Sequence, residues 1–277
     1  MSLVIISTHP IQYHAPIYRY LQQRIGCKVC VIYGSDFSIS GYRDKEFQTH
    51  FAWDTDLLAG YESVFLRRVN QSSATVKQDH SYAELEKKID AQNPSMILIL
   101  GYMQPLYRKA WLYARKKKYL VAFRMEAYDE PYRTPYLKKL IRDVVLRGIY
   151  AWTDAFLYIG EASKQHYRRL GVPEKKLYFS PYTVDASVYS LDDSDREEIR
   201  RNKRNELGLH LDDRVVLFSG KLIQKKDPKI IVESIRKLSN EDRQKTVILY
   251  LGDGPLREHI VNAAHESPSV RVVMCGF

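Results

Sequence analysis

The sequence predicts an α/β protein made of two doubly wound parallel-sheet domains, the second of them incomplete. Three observations carry this. Short apolar, β-branched runs alternate with longer amphipathic stretches, the pattern of βαβ units on a parallel sheet. Two such series are separated by a polar, charge-rich stretch, Leu191–Leu209. The first series holds six strands and the second only three, and Cys275-Gly276-Phe277 stops where the next βα loop would begin. The chain is therefore expected to be an N-terminal piece: a first domain over 1–186, a linker over 187–211 and a partial second domain over 212–277.

In the first series, strands are expected at Leu3–Ser7, Lys28–Tyr33, Met96–Leu100, Leu120–Arg124, Ala155–Tyr158 and Leu177–Phe179. Helices are expected at Ala15–Arg24, Tyr82–Gln92, Pro105–Lys117, Thr134–Tyr150 and Ala162–Leu170. Gly171-Val172-Pro173 closes the last of these, with Gly just past the helix end and Pro behind it. In the second series the order is strand Val215–Ser219, helix Pro228–Leu238, strand Thr246–Leu251, helix Pro255–His265 and strand Val270–Met274.

Composition narrows the class. With 45% hydrophobic and 27% charged residues the chain reads as globular rather than disordered or fibrous. Its longest apolar runs fall far short of the roughly 18 residues a membrane span needs. Met1 leads straight into a strand-like run without a basic leader, so a cytoplasmic location is expected. Three cysteines agree: Cys27-Lys28-Val29-Cys30 is formally a C-x-x-C, but it sits at a strand and lacks a second Cys/His pair for zinc.

The net charge of +10 is concentrated. Residues 1–185 hold 27 Lys/Arg against 18 Asp/Glu, and residues 101–147 alone hold 12 against 4. A local basic face implies an anionic partner. The second predicted helix of that region also carries Leu137, Leu140, Ile141, Val144, Val145 and Ile149 at helical spacing. One expectation is a core-facing stripe with a solvated basic face; the other is docking to an anionic membrane surface. Nucleic acid is not expected, since no binding module accompanies the charge.

Two βα junctions carry the chemistry. Ser219-Gly220-Lys221-Leu222-Ile223-Gln224-Lys225-Lys226-Asp227-Pro228 follows a strand and opens a helix, where parallel sheets bind ligands. Gly220 permits a tight turn, and Lys221 and Lys226 can converge on a phosphate near the helix N-terminus. The next junction, Gly252-Asp253-Gly254-Pro255, has glycines that let a ligand approach the backbone. Each motif alone also fits a plain solvated turn; together, at this spacing, they are more specific.

These two segments, with Val270–Phe277, resemble the opening of the donor domain of family 4 retaining glycosyltransferases, which have the GT-B fold of two Rossmann-like domains. The front half is similar to a subgroup of that family through Thr8-His9-Pro10-Ile11-Gln12-Tyr13-His14-Ala15-Pro16, Trp53-Asp54, Leu57-Leu58-Ala59-Gly60-Tyr61 and Ser180-Pro181-Tyr182-Thr183-Val184-Asp185. The resemblance implies sugar transfer, with retention, from a nucleotide diphosphate sugar to a glycan or lipid-linked acceptor in cell-surface polysaccharide synthesis. It implies that Lys221 and Lys226 grip the donor diphosphate beside Gly220, and that Gly252, Asp253 and Gly254 lie near the nucleotide. Such fixed cations stabilise the charge that builds on the departing diphosphate.

Two departures stand out. Asp227 replaces the family's usual Gly, and Gln12-Tyr13 replaces a Gly-Gly pair near the diphosphate, where the resemblance makes the Gln12 amide and the Tyr13 phenol candidates to bind the donor diphosphate in place of the backbone. Arg124 and Glu126 end a strand where the family places polar residues near the reacting hydroxyl. Arg124 cannot act as a base but can hold a phosphate or carboxylate; Glu126 can orient a hydroxyl. Both also fit a surface ion pair. His14 completes the candidate catalytic set, and His9, Gly101 and Tyr102 are candidates for the acceptor cleft. Either histidine also fits a plain hydrogen-bonded side chain.

No cofactor and no metal are expected: Asp54-Thr55-Asp56 matches Asp-x-Asp only formally and belongs to the loop around Trp53. The family's Glu-x7-Glu donor segment has no counterpart within residues 1–277, so this chain by itself is expected to bind nucleotide weakly and transfer nothing. The alternatives are a nucleotide-sugar epimerase of the same fold and a non-catalytic module that binds an anionic glycan or membrane.

Overall fold

The computed structural model describes residues 1–40, 42–43, 50–51, 55–67, 82, 84–129, 135–267 and 269–276. The chain forms two compact units, one from residues 1–42 and 52–185, the other from 43–51 and 186–277.

The first unit is organised on a parallel sheet of seven strands. In chain order its elements are β1 (Ser2–Ser7), α1 (Ala15–Arg24), β2 (Lys28–Tyr33) and a single turn, α2 (Phe37–Ser40). Two two-residue strands, β3 (Tyr42–Arg43) and β4 (His50–Phe51), pair with each other at the junction of the units in sequence. Next come β5 (Glu62–Phe65), α3 (Leu85–Ala91), β6 (Met96–Ile99) and α4 (Pro105–Lys116). The unit ends with β7 (Leu120–Arg124), α5 (Tyr136–Ala151), β8 (Ala155–Tyr158), α6 (Glu161–Arg169) and β9 (Leu177–Phe179).

The spatial order β5-β2-β1-β6-β7-β8-β9 is doubly wound: the chain builds outward from β1 on one side, then returns to β6 and builds outward on the other. Strands covered on both faces read as continuous apolar runs, and Val4, Ile5 and Ile6 of β1 are fully buried. Alternation sorts their side chains. Val4, Ile6, Cys30, Ile32, Ile97 and Ile99 pack in one core with residues of α3 to α6; Leu3, Ile5, Val29 and Val31 pack in another with Ala15 and Tyr18 of α1. Cys27 and Cys30 are free and buried in these cores.

The sheet has one strand more than the sequence suggests. β5 has only four residues and no fully buried one, too short and too mixed for periodicity to reveal. A larger correction concerns α5. Of its apolar stripe Ile149 packs against the core, but Leu137, Leu140, Ile141, Val144 and Val145 do not face it and are 47 to 67% exposed. The buried residues are Asp143, Leu146 and Tyr150. Asp143 tolerates burial because Arg142 and Arg169 pair with its carboxylate. Thr134, the expected first residue of this helix, lies outside the described residues, as do Trp53, Asp54 and Phe277.

The second unit contains α7 (Asp193–Glu206), β10 (Arg214–Ser219), α8 (Lys229–Ile235), α9 (Asn240–Gln244), β11 (Thr246–Leu251), α10 (Arg257–His265) and β12 (Arg271–Gly276). Strands β10, β11 and β12 form a parallel sheet in that spatial order. Ile248, Tyr250, Val232, Ile235 and Ile260 form its main core. The stretch read from sequence as a polar linker contains α7, a helix of 14 residues with no buried residue. It has no apolar period to betray it. The Asp192 carboxylate caps it by accepting from the Asp195 amide at 2.8 Å, and ion pairs such as Arg196–Asp193 and Arg200–Glu197 support its surface.

Candidate functional site

The doubly wound order creates a crevice where the winding reverses, beyond the C-terminal ends of β1 and β6, and open α/β sheets bind ligands there. The segments that converge on this end of the first unit are the β1–α1 loop, the ends of β6 and β7, and the turn after β9. They enclose a cavity of about 240 Å³ whose walls include Tyr13, His14, Tyr107, Arg124, Glu126 and Tyr182. Four residues singled out in the sequence, Tyr13, His14, Arg124 and Glu126, thus share one cavity.

Arg124 is not a surface ion pair; it is 7% exposed. Its Nη1 lies 3.3 Å from His14 Nε2, its Nη2 donates to the Ser180 carbonyl at 3.3 Å, and its guanidinium lies over the Tyr182 ring at 4.8 Å. The Tyr182 hydroxyl in turn hydrogen-bonds the Glu126 carboxylate. Tyr182 and Tyr107 were not picked out from the sequence. Tyr182 stood inside the Ser180–Asp185 segment, and its place directly after the last strand of the sheet was the available signal.

His14 is held in a defined state. Burial, then the positive Arg124 guanidinium and His9, lower its pKa from 6.5 to about 4, so the ring is neutral at pH 7. A guanidinium only donates, so Nε2 must be the acceptor and Nδ1 carries the proton. That Nδ1–H is buried without a hydrogen-bond partner among the described residues. An unpaired buried donor costs about 1–3 kcal/mol, and a ligand oxygen would relieve it. The arrangement suits binding of an oxygen-rich, anionic or hydroxylated group; it does not offer His14 as a free base.

The other candidates of this unit sit nearby. His9 Nδ1 lies 2.9 Å from the Thr8 hydroxyl, and burial lowers its pKa to about 4. Gln12 is exposed. Gly101 and Tyr102 line instead an apolar slot of about 170 Å³, bounded by Trp111 of α4 and Ile149 of α5, with Tyr107 common to both spaces. A side chain at Gly101 would meet the Tyr107 ring at 3.0 Å.

In the second unit the two βα junctions interlock. Gly220 N–H donates to the Leu251 carbonyl at 2.9 Å, Leu222 N–H to the Asp253 carbonyl at 3.0 Å, and Leu256 N–H to the Leu222 carbonyl at 3.0 Å. The glycines have a steric reason: a Cβ on Gly252 would lie 2.0 Å from the Gly220 carbonyl oxygen, and one on Gly254 2.7 Å from that of Leu222. Lys221 and Lys226 sit on the first of these loops, and Asp253 on the second. Asp227, which replaces the family's Gly, has φ +43° and ψ +56°, the left-handed conformation Gly favours and Asp tolerates. The departure changes the residue while keeping the turn.

Among the described residues no three His, Cys, Asp or Glu side chains are grouped to hold a metal ion. The Asp56 carboxylate, half of the formal Asp-x-Asp, accepts from the Leu58 and Ala59 amides at 2.9 and 3.1 Å and so shapes its own loop.

No family model matches the chain, and no curated protein matches it. Solved structures do. The UDP-GlcNAc 2-epimerase of Methanocaldococcus jannaschii is 19% identical with a TM-score of 0.57, over 99% of this chain and 73% of that one. Anabaena HepE in complex with UDP and glucose is 14% identical with a TM-score of 0.62, over 100% and 69%. A glycosyltransferase from Rickettsia africae is 12% identical with a TM-score of 0.61, over 99% and 68%. At these identities the likeness is one of fold, and the chain has the α/β fold of two Rossmann-like units known as GT-B.

Proposed function

We propose that the protein is a glycosyltransferase that binds a nucleotide diphosphate sugar and passes its sugar, with retention, to a glycan or lipid-linked hydroxyl in cell-surface polysaccharide synthesis. The observation that carries the reading is the interlocked pair of loops in the second unit, where glycines bring two βα junctions together beside Lys221 and Lys226. Backbone amides and fixed cations at such junctions suit a diphosphate. The reading assigns donor binding to Gly220, Lys221, Lys226, Gly252, Asp253 and Gly254. It assigns a hydroxyl-orienting role to Glu126, and oxygen-holding roles to Arg124 and the His14 Nδ1–H. It adds Gln12 and Tyr13 to the diphosphate side, and it leaves His9, together with Gly101 and Tyr102 of the apolar slot, to the acceptor cleft. Similar folds that hold UDP and UDP-sugars support the choice of ligand.

The 2-epimerases among the similar structures favour a second reading, epimerisation of a UDP-sugar. Calorimetry with UDP tests the shared core: Lys226→Ala and Lys221→Ala should each weaken binding by about tenfold or more, and unchanged affinity in both would remove the assignment. Product analysis with UDP-GlcNAc separates the two readings. Inversion at a sugar carbon without any acceptor supports the epimerase; sugar on an added acceptor supports the transferase.

A further inference from the structure

We infer that α5 is an interfacial helix that lies on an anionic lipid surface, its exposed apolar stripe in the headgroup–acyl boundary and its basic borders on the lipid phosphates.

The stripe is continuous. At about 100° per residue, Leu140, Val144, Leu137, Ile141 and Val145 follow one another across the outward face of the helix. All five are half exposed or more, within a few per cent, while Asp143, Leu146 and Tyr150 hold the opposite face to the core. The cations are not scattered over this face. The same geometry puts Arg147 at one border of the stripe, beside Leu140, and Lys138 at the other, beside Val145. Long basic side chains at such borders keep their charge in the headgroups while their stems cover apolar surface. Amphipathic aromatic residues close both ends, Tyr136 at 82% and Trp152 at 52% exposure; Tyr and Trp favour the membrane–water boundary. Arg115, at the end of α4, lies against the Trp152 ring, and Lys116 and Lys118 extend the basic field.

Charge selects the occupant. A two-fold pairing of stripes from two copies would set these basic borders against one another, whereas an anionic bilayer complements them. α5 has 16 residues, and no helix among the described residues is long and apolar enough to cross a membrane. A helix of this kind rests on a surface. The inference is independent of the reaction the protein carries out.

Cosedimentation of the full 277-residue chain with vesicles tests it. Binding is expected to phosphatidylglycerol vesicles, to be lost as salt is raised, and to be much weaker on phosphatidylcholine. Lys138→Ala with Arg147→Ala should weaken partitioning about 25-fold, and Ile141→Ser with Val144→Ser about tenfold. Arg200→Ala with Lys203→Ala, the same charge removed from exposed positions on α7, should leave it unchanged. All these side chains are solvent-facing, and a thermal melt verifies that each variant is folded. The inference falls if phosphatidylglycerol vesicles do not bind the chain, or if the serine pair binds them as the parent does. It falls equally if the parent is a dimer on a sizing column that the serine pair dissociates, since the stripe would then belong to a second copy.

Discussion

His14 shows how a residue's chemistry follows from its neighbours rather than its type. Read from the sequence, a histidine in a βα loop is a candidate base. In the structure its Nε2 faces a guanidinium that can only donate, so its one proton sits on Nδ1. Nitrogen NMR of the folded protein should find Nδ1 protonated and Nε2 bare at neutral pH. Arg124→Met should raise the ring's pKa, because it removes a positive neighbour, and should free the tautomer. A protonated Nε2 in the parent would refute the assignment. The same group predicts a pH dependence. The unfolded ring takes its proton near pH 6.5 and the folded one near 4. Its contribution is therefore complete above pH 6.5 and is lost as pH falls to 4, by about 3 kcal/mol in all. Denaturant titrations of His14→Phe should show a flatter profile over that interval than the parent; an identical slope would mean the ring is not held neutral. Gly252 makes a second case at this scale. Its missing Cβ would meet a backbone carbonyl rather than a yielding side chain, so Gly252→Ala should destabilise the second unit by more than about 2 kcal/mol.

At the scale of elements, a charged cluster ties three of them together. Asp129, in the loop after β7, accepts from Arg169 of α6 at 2.7 and 2.8 Å and from Arg142 of α5 at 3.1 Å, and it meets His166 Nδ1 at 3.1 Å. Burial pushes its pKa up, but the hydrogen bonds from Arg169 and His166 outweigh this and hold it at about 2. Asp129→Asn leaves Arg169 and His166 facing a neutral amide, and thermal or urea unfolding should register a loss of about 1–3 kcal/mol; a change within 0.5 kcal/mol would show that the cluster is ornamental. The sequence disclosed elements unevenly, for physical reasons. β1, β2, β7 and β11 were plain because burial on both faces leaves an uninterrupted apolar run. β5 was hidden by its length and α7 by its lack of any buried face. α5 was recognised as a helix and turned the wrong way in one of its two readings: periodicity reveals that a stripe exists, but not whether core or solvent receives it. The candidate site was legible where loops follow strands, as at Arg124 and Gly252. Tyr107 and Tyr182 escaped because side chains from a helix and from the last strand's turn reach the cavity only in three dimensions.

Over the whole molecule, charge is divided unevenly between the two units. The basic excess belongs to residues 1–185, while residues 186–277 are nearly balanced, with 16 Lys/Arg and 15 Asp/Glu. A nucleotide drawn merely to positive charge would favour the first unit; one bound by built loops would favour the second. The two mechanisms can be told apart in one experiment. A ligand that binds only the folded state stabilises it by RT ln(1 + [L]/Kd), about 2.7 kcal/mol at a hundredfold excess over Kd. UDP should therefore raise the unfolding temperature. Hydrogen exchange should locate the added protection at the amides of Gly220, Leu222, Gly252 and Gly254, which already lie within the interlocked loops. Lys221→Ala with Lys226→Ala should abolish the protection, whereas Lys138→Ala with Arg147→Ala should leave it intact. Protection that appears instead along α4 and α5, or that vanishes with the basic pair on α5, would show that the nucleotide reads the charge of the first unit, and the donor role of the second would be withdrawn.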